Sequence, residues 1–235
     1  MATSLTPATH TFIPAVRIHR SLTASAEKRL LELLAVHTPR AITSDHLTLL
    51  GFAAQVAAGL FYALARTHPL ALLAVNASIL LNWLGDSLDG TLARVRHQQR
   101  PRFGFYVDHI TDLFGATALL TGLALSGFAH WPIALAMLVG FLLLSAESFL
   151  AAHTLARFEL SQFLFGPTEL RLLLIAANLA LLHSPYAHIP YLPIPAHRVL
   201  LFDLGGAIGA LAMFALAITL SIRHTAQLFR EEPLP

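Results

Sequence analysis

The sequence predicts an all-α integral membrane protein, with six transmembrane helices preceded by an amphipathic juxtamembrane helix. Three observations carry that prediction. Only 12% of the 235 residues are charged and 56% are hydrophobic, with a mean hydropathy of +0.65. A soluble globular domain carries roughly 25% charged residues, so this chain has too little charge to coat a water-facing surface. Next, six segments read as bilayer-crossing helices, each of which needs about 20 mostly apolar residues. Finally, the basic residues gather in alternate connections between those segments. A disordered chain and an ordinary soluble enzyme are excluded. The formal net charge of +2 gives no basis for nucleic-acid binding, and with Cys 0 there is no thiolate chemistry or Cys-based metal site.

Residues 1–24 read as a surface-lying arm with no apolar signal-peptide core. Residues 25–40 contain the stretch SAEKRLLELLAVH. There Leu30, Leu31 and Leu34 share a helical face, and Glu27, Lys28, Arg29 and Glu32 cover the rest. Ser25 suits an N-cap. The stretch is too short to cross a bilayer, so it predicts an interfacial helix; a packing helix is the alternative. Residues 41–225 hold the six spans, at roughly 47–65, 70–93, 105–128, 132–156, 169–184 and 199–222, and 226–235 form a tail. Within the fourth span Glu147 is costly and predicts a partner inside the bundle. Asp203 reads as a helix-end or solvated carboxylate, and Trp83 as bundle core.

Orientation follows from loop charge. With the N-terminus inside, Arg17, Arg20, Lys28, Arg29, Arg40, Arg94, Arg96, Arg100, Arg102, Arg157, Arg171, Arg223 and Arg230 fall inside. Only Arg66 and Arg198 fall outside. Both termini are therefore expected in the cytoplasm, in a cell inner membrane. Tyr186 and Tyr191, in the proline-rich outer loop 183–198, suit an interfacial aromatic belt.

The informative stretch is residues 85–115 (GDSLDGTLARVRHQQRPRFGFYVDHITDLFG). Ionisable groups inside apolar spans are expensive and functional by default. Asp86 and Asp89 are three residues apart and Asp108 and Asp112 four, so each pair shares a helix face. The short loop between them makes the two helices antiparallel neighbours, with the pairs facing each other near the cytoplasmic end. Four carboxylates there need cations. Hard oxygen ligands without Cys point to Mg²⁺ or Mn²⁺. Two such ions suit phosphoryl transfer, and Arg94 with the arginines after it, Arg100 among them, supplies a cationic rim for phosphate. Gly90 and Ala93 are small enough to let a ligand or a neighbouring helix come close. The different-class alternative is a cation-coupled transporter using the same Asp cluster.

These residues resemble the CDP-alcohol phosphotransferase (CDP-alcohol phosphatidyltransferase) family, whose pattern is D-x-x-D-G-x-x-A-R, a short gap, then G-x-x-x-D-x-x-x-D. Here the pattern reads Asp86, Asp89, Gly90, Ala93 and Arg94, nine residues, then Gly104, Asp108 and Asp112. The wider resemblance covers about residues 25–225. It includes the Leu47-Thr48-x-x-Gly51 start of the first span, with His46 where relatives often carry Asn. The resemblance implies attack by an acceptor alcohol on the phosphorus of a CDP-alcohol, with release of CMP, in phospholipid biosynthesis. It implies that Asp86, Asp89, Asp108 and Asp112 hold the metals and that Gly90, Arg94 and Gly104 frame the CDP moiety. Asp112 matches the proposed base of many members, and the Asp108-His109 pair resembles the branch in which that His is the proposed base. Gly166-Pro167-Thr168-Glu169-x-Arg171 resembles stretches in some prokaryotic members, so Glu169 and Arg171 are candidates for recognising the acceptor. Thr168 also reads as an N-cap. At least one substrate is expected to be a lipid, and the resemblance implies a homodimer.

Overall fold

A computed structural model describes residues 24–155, 167–183 and 200–232. The arm, the outer-loop tyrosines, Gly166, and Arg17, Arg20, Arg157 and Arg198 lie outside the described residues. Seven helices follow in order: α1 Ala24–His37, α2 Ser44–Ala65, α3 Ala71–Val95, α4 Pro101–Ser126, α5 Trp131–Thr154, α6 Pro167–His183 and α7 Leu201–Glu231. Among the described residues there is no strand.

Local chemistry sets the helix ends. Thr43 caps α2, accepting at Oγ1 from the His46 backbone N–H while the His46 ring accepts from the Thr43 N–H. This reciprocal box satisfies two donors that a helix start otherwise leaves orphaned, and it gives His46 a structural task. Pro101 opens α4, where its missing N–H costs nothing. Gly127 closes the same helix at φ 79, a left-handed conformation that suits glycine. Arg96 ends α3 by donating to the carbonyls of Ile42, Thr38 and Pro39, which pins the α1–α2 connection beneath it.

Helices α2, α3, α5 and α7 are long and apolar enough to cross a membrane. The expected six spans are thus four by length and composition among the described residues. α6 has 17 residues, and α4 carries Arg102, Asp108 and Asp112 in its first half. Large apolar side chains face outward on α5 (Leu135, Leu143, Leu150) and α7 (Ile208, Leu211, Ile218), the arrangement that suits a lipid surrounding.

α2 is the central helix. It packs along both α3 and α4, while α3 and α4 make little direct contact. The expectation that α3 and α4 are direct neighbours is corrected accordingly: α2 spans the gap between them. α5 packs on α4 and α7, and α6 on α3. One apolar core surrounds the first half of α3, with Tyr62, Leu72, Val75, Ile79, Leu123 and Leu181. A second core holds α1 against the other end of α3 through Leu31, Ala35, Leu47, Leu88 and Leu92.

α1 differs from expectation in which face is covered. Leu31 and Ala35 are buried and Leu34 packs beside them, whereas Leu30, Leu33 and Val36 are exposed. The helix therefore carries two apolar stripes, one docked on α3 and one turned outward. Ser25 lies inside α1 rather than before it, and the expected tail boundary at 226 falls within α7.

Candidate functional site

Three helical stripes converge on one cleft. α2 contributes Thr48, Gly51, Phe52 and Gln55; α3 contributes Asn82, Asp86 and Asp89; α4 contributes Asp108, Thr111 and Asp112. Each set recurs at three- or four-residue steps, the spacing that puts side chains on one helix face. All four aspartates line this cleft, and each is partly buried.

Glycines bring the backbones together. A Cβ on Gly85 would lie 2.6 Å from both the Gly51 nitrogen and the Leu47 carbonyl oxygen. No larger residue fits without moving a main chain. This approach puts two α2 hydroxyls on Asp89 of α3, one on its carboxylate and one on its backbone. Thr48 donates from Oγ1 to Asp89 Oδ2 (2.6 Å), and Ser44 donates to the Asp89 carbonyl (2.9 Å). The Gly90 N–H donates to the other Asp89 oxygen. Asn82 donates from Nδ2 to the Gly51 carbonyl (3.1 Å).

Arg171 reaches the cleft from α6. Its Nη2 lies 2.7 Å from Asp86 Oδ2 and its Nε donates to Asn82 Oδ1 (3.1 Å). The guanidinium side chain is only 18% exposed, so this pair is better shielded from solvent than a surface ion pair. Glu169 stands in the first turn of α6 and is not among the cleft-lining residues.

The predicted ligand-framing residues divide into two groups. A Cβ on Gly104 would meet nothing within 4 Å, and one on Gly90 only the Arg94 guanidinium at 3.4 Å. Both glycines thus border open space. Ala93 is partly exposed, and Arg94 is exposed and donates to Thr91 Oγ1 (2.9 Å) at the end of α3. Arg100 behaves differently. It pairs with Asp45 at the start of α2 and lies over the Phe103 ring, 4.1 Å from its centroid. Those contacts make it a tie between α2 and α4, and it does not line the cleft.

His109 does not line the cleft either. Its buried ring sits between Phe105, at 4.2 Å, and Phe149 on α5, at 4.9 Å and nearly perpendicular, and Nδ1 donates to the Phe105 carbonyl (2.6 Å). Thr168 is not an N-cap: α6 already begins at Pro167, and the Thr168 hydroxyl donates to Glu27 of α1.

Sequence reasoning missed Phe52, Gln55, Asn82 and Thr111 as cleft residues. Asn82 stands one turn before Asp86, and Gln55 one turn after Gly51. A polar residue in register with the motif was the available signal.

Among the described residues, no three His, Asp or Glu side chains converge closely enough to hold a metal by themselves. The donor chemistry nonetheless fits a hard cation. Carboxylate, amide and hydroxyl oxygens from three helices share the cleft, the ligand types that Mg²⁺ and Mn²⁺ take.

A model of the CDP-alcohol phosphatidyltransferase family matches residues 41–221. The chain belongs to this family. The match spans α2 to α7 and so contains all three helices of the cleft, while α1 lies before it. No curated protein matches the chain. With this membership and its apolar helices, the chain is an integral membrane protein of a family of transferases acting on phosphate-containing groups in phospholipid synthesis.

Proposed function

We propose that the protein transfers a substituted phosphate from a CDP-alcohol to an acceptor alcohol and releases CMP, at the cytoplasmic face of an inner membrane. The observation that carries this reading is the meeting of all four motif aspartates in one cleft with α2 oxygens behind them. Asp86, Asp89, Asp108 and Asp112 would hold two Mg²⁺ or Mn²⁺ ions, which when bound neutralise a pyrophosphate and steady the leaving oxygen.

The chain's own residues do the rest. Gly90 and Gly104 border open space through which the CDP moiety can approach the backbone. Arg94, at the end of α3, offers a bidentate fork to phosphate. Arg171 is the cation at the acceptor side, with Glu169 two residues before it. Asp112 takes the proton of the acceptor hydroxyl, because it lines the cleft and His109 does not. The acceptor oxygen then attacks the phosphorus bearing the donor's alcohol. The bond from that phosphorus to the bridging oxygen breaks, and CMP leaves with the electron pair. The enzyme is expected to act as a homodimer.

Purified protein in lipid nanodiscs, given radiolabelled CDP-alcohols with lipid or soluble acceptors and Mg²⁺ or Mn²⁺, tests the reading. CMP release that disappears in Asp108→Asn supports it. Folded, metal-supplied protein that releases no CMP from any pairing overturns it. The same screen decides whether the donor is CDP-diacylglycerol or a soluble CDP-alcohol.

A further inference from the structure

Glu27 belongs to α1, outside both the aspartate motif and the matched region, yet it is tied to two helices that bear on the cleft. Its Oε1 accepts from the Trp83 indole N–H (2.8 Å) and the Ser87 hydroxyl (3.3 Å), both on α3. The Thr168 hydroxyl of α6 lies 3.1 Å from each of its carboxylate oxygens. Ser87 is the residue after Asp86. Thr168 is one turn before Arg171, and at this end of α6 Arg171 contacts α3 directly through Asp86 and Asn82, while Asn178 bonds Asn76 further along the helix. The start of α6 is therefore fixed to α3 at two points one helical turn apart: one is the arginine itself, the other is a carboxylate borrowed from α1. A long side chain such as Arg loses rotamer freedom when held. A second anchor on the same helix face fixes the backbone from which it reaches.

We propose that Glu27 is a positioning residue for the phosphotransfer site, holding Ser87 and Thr168 on one carboxylate so that Arg171 is delivered to Asp86. This rests on the functional reading above and extends it to a residue beyond the motif. A purely structural role would be to fasten α1 to α3, and two further variants separate the two roles. Thr168→Val removes the α6 bond and leaves Trp83 and Ser87 on Glu27. Leu31→Ala weakens the apolar docking of α1 and leaves all the Glu27 bonds in place.

The experiment compares Glu27→Ala, Glu27→Gln, Thr168→Val and Leu31→Ala in nanodiscs. Steady-state constants are measured for each substrate, along with tryptophan emission in a Trp131→Phe background, where Trp83 is the remaining indole. Loss of hydrogen bonds to a charged group predicts an acceptor KM raised about tenfold in Glu27→Ala and Thr168→Val, with the CDP-alcohol KM nearly unchanged. Glu27→Gln keeps an acceptor oxygen and falls between these and the wild type. Thr168→Val shifts Trp83 emission, and the shift vanishes when Glu27 is already Ala. A wild-type acceptor KM in Thr168→Val, or the same rise in Leu31→Ala, overturns the proposal. If the wild type releases no CMP from any pairing, the functional reading fails. The emission response of Trp83 to Thr168→Val still decides the coupling, and its absence refutes it.

Discussion

At the scale of single residues, Asp112 and His109 are separated by three positions on α4 and face different surroundings. Asp112 opens on the cleft, while His109 is packed between two phenyl rings. His109→Ala should therefore lower turnover less than about tenfold and chiefly loosen the α4–α5 contact. Asp112→Asn should abolish turnover while CDP still binds. CMP release and metal-dependent CDP binding on both variants check this, and a His109→Ala protein that binds CDP normally without turning over contradicts it. Arg171 supplies a second case. Its guanidinium sits against Asp86 with little solvent between, so it opposes any cation in the cleft. Removing that charge in Arg171→Gln should tighten Mn²⁺ binding in nucleotide-free protein on the order of three- to tenfold. Paramagnetic resonance of free Mn²⁺ measures it, and unchanged or weaker binding would falsify the repulsion. The aspartates were legible in the sequence because charge inside an apolar span stands out. Arg171's contact with Asp86 was not, because it joins residues 85 apart through a helix packing that no local spacing encodes.

At the scale of helices, existence was easier to read than extent. The sixth span was expected to end near 222, yet α7 continues to Glu231. Hydropathy reports where a helix meets lipid, and the polar run after Ile222 goes on making backbone hydrogen bonds regardless. Asp203 was expected to be a helix-end or solvated carboxylate. It is a helix-end carboxylate in the first turn of α7, but a buried rather than a solvated one, accepting from the His130 backbone and ring and from the Leu200 N–H. Glu147 does pair inside the bundle, with His224 of α7 at 2.5 Å. The position of α2 between α3 and α4 was hidden, because a short loop joins the ends of two helices without making them pack along their lengths. The α3 glycine that faces α2 carries a test. Gly85→Ala puts a Cβ into the α2 backbone, so the helices must separate. Overpacking of this kind costs about 1–3 kcal/mol, and the cleft is built from both helices, so activity should fall further than stability does. Thermal unfolding in detergent and CMP release measure the two losses, and a Gly85→Ala protein of wild-type stability and rate refutes the close-packing account. Gly104→Ala, where nothing lies within 4 Å, is the control: its stability should not fall, and the helix preference of Ala over Gly should raise it slightly.

For the whole molecule, the cleft has a side only if the bundle has an orientation. The cleft aspartates lie toward the end of α3 and the start of α4, so they share the side of the α3–α4 connection. That connection carries Arg96 and Arg100, with Arg102 in the first turn of α4, whereas the α2–α3 connection carries Arg66 alone at its edge. Basic residues favour cytoplasmic loops, so the proposed orientation has the α3–α4 connection and the cleft inside and the α2–α3 connection outside. Because the chain has Cys 0, a single introduced cysteine is its sole thiol. Gln98→Cys and His68→Cys place one in each connection, at positions that are both exposed. A membrane-impermeant maleimide added to intact spheroplasts should label His68→Cys and spare Gln98→Cys, and inverted vesicles should reverse the pattern. Labelling of Gln98→Cys from outside would put the carboxylates on the face away from cytoplasmic nucleotide, and the proposed use of a CDP-alcohol there would have to be abandoned.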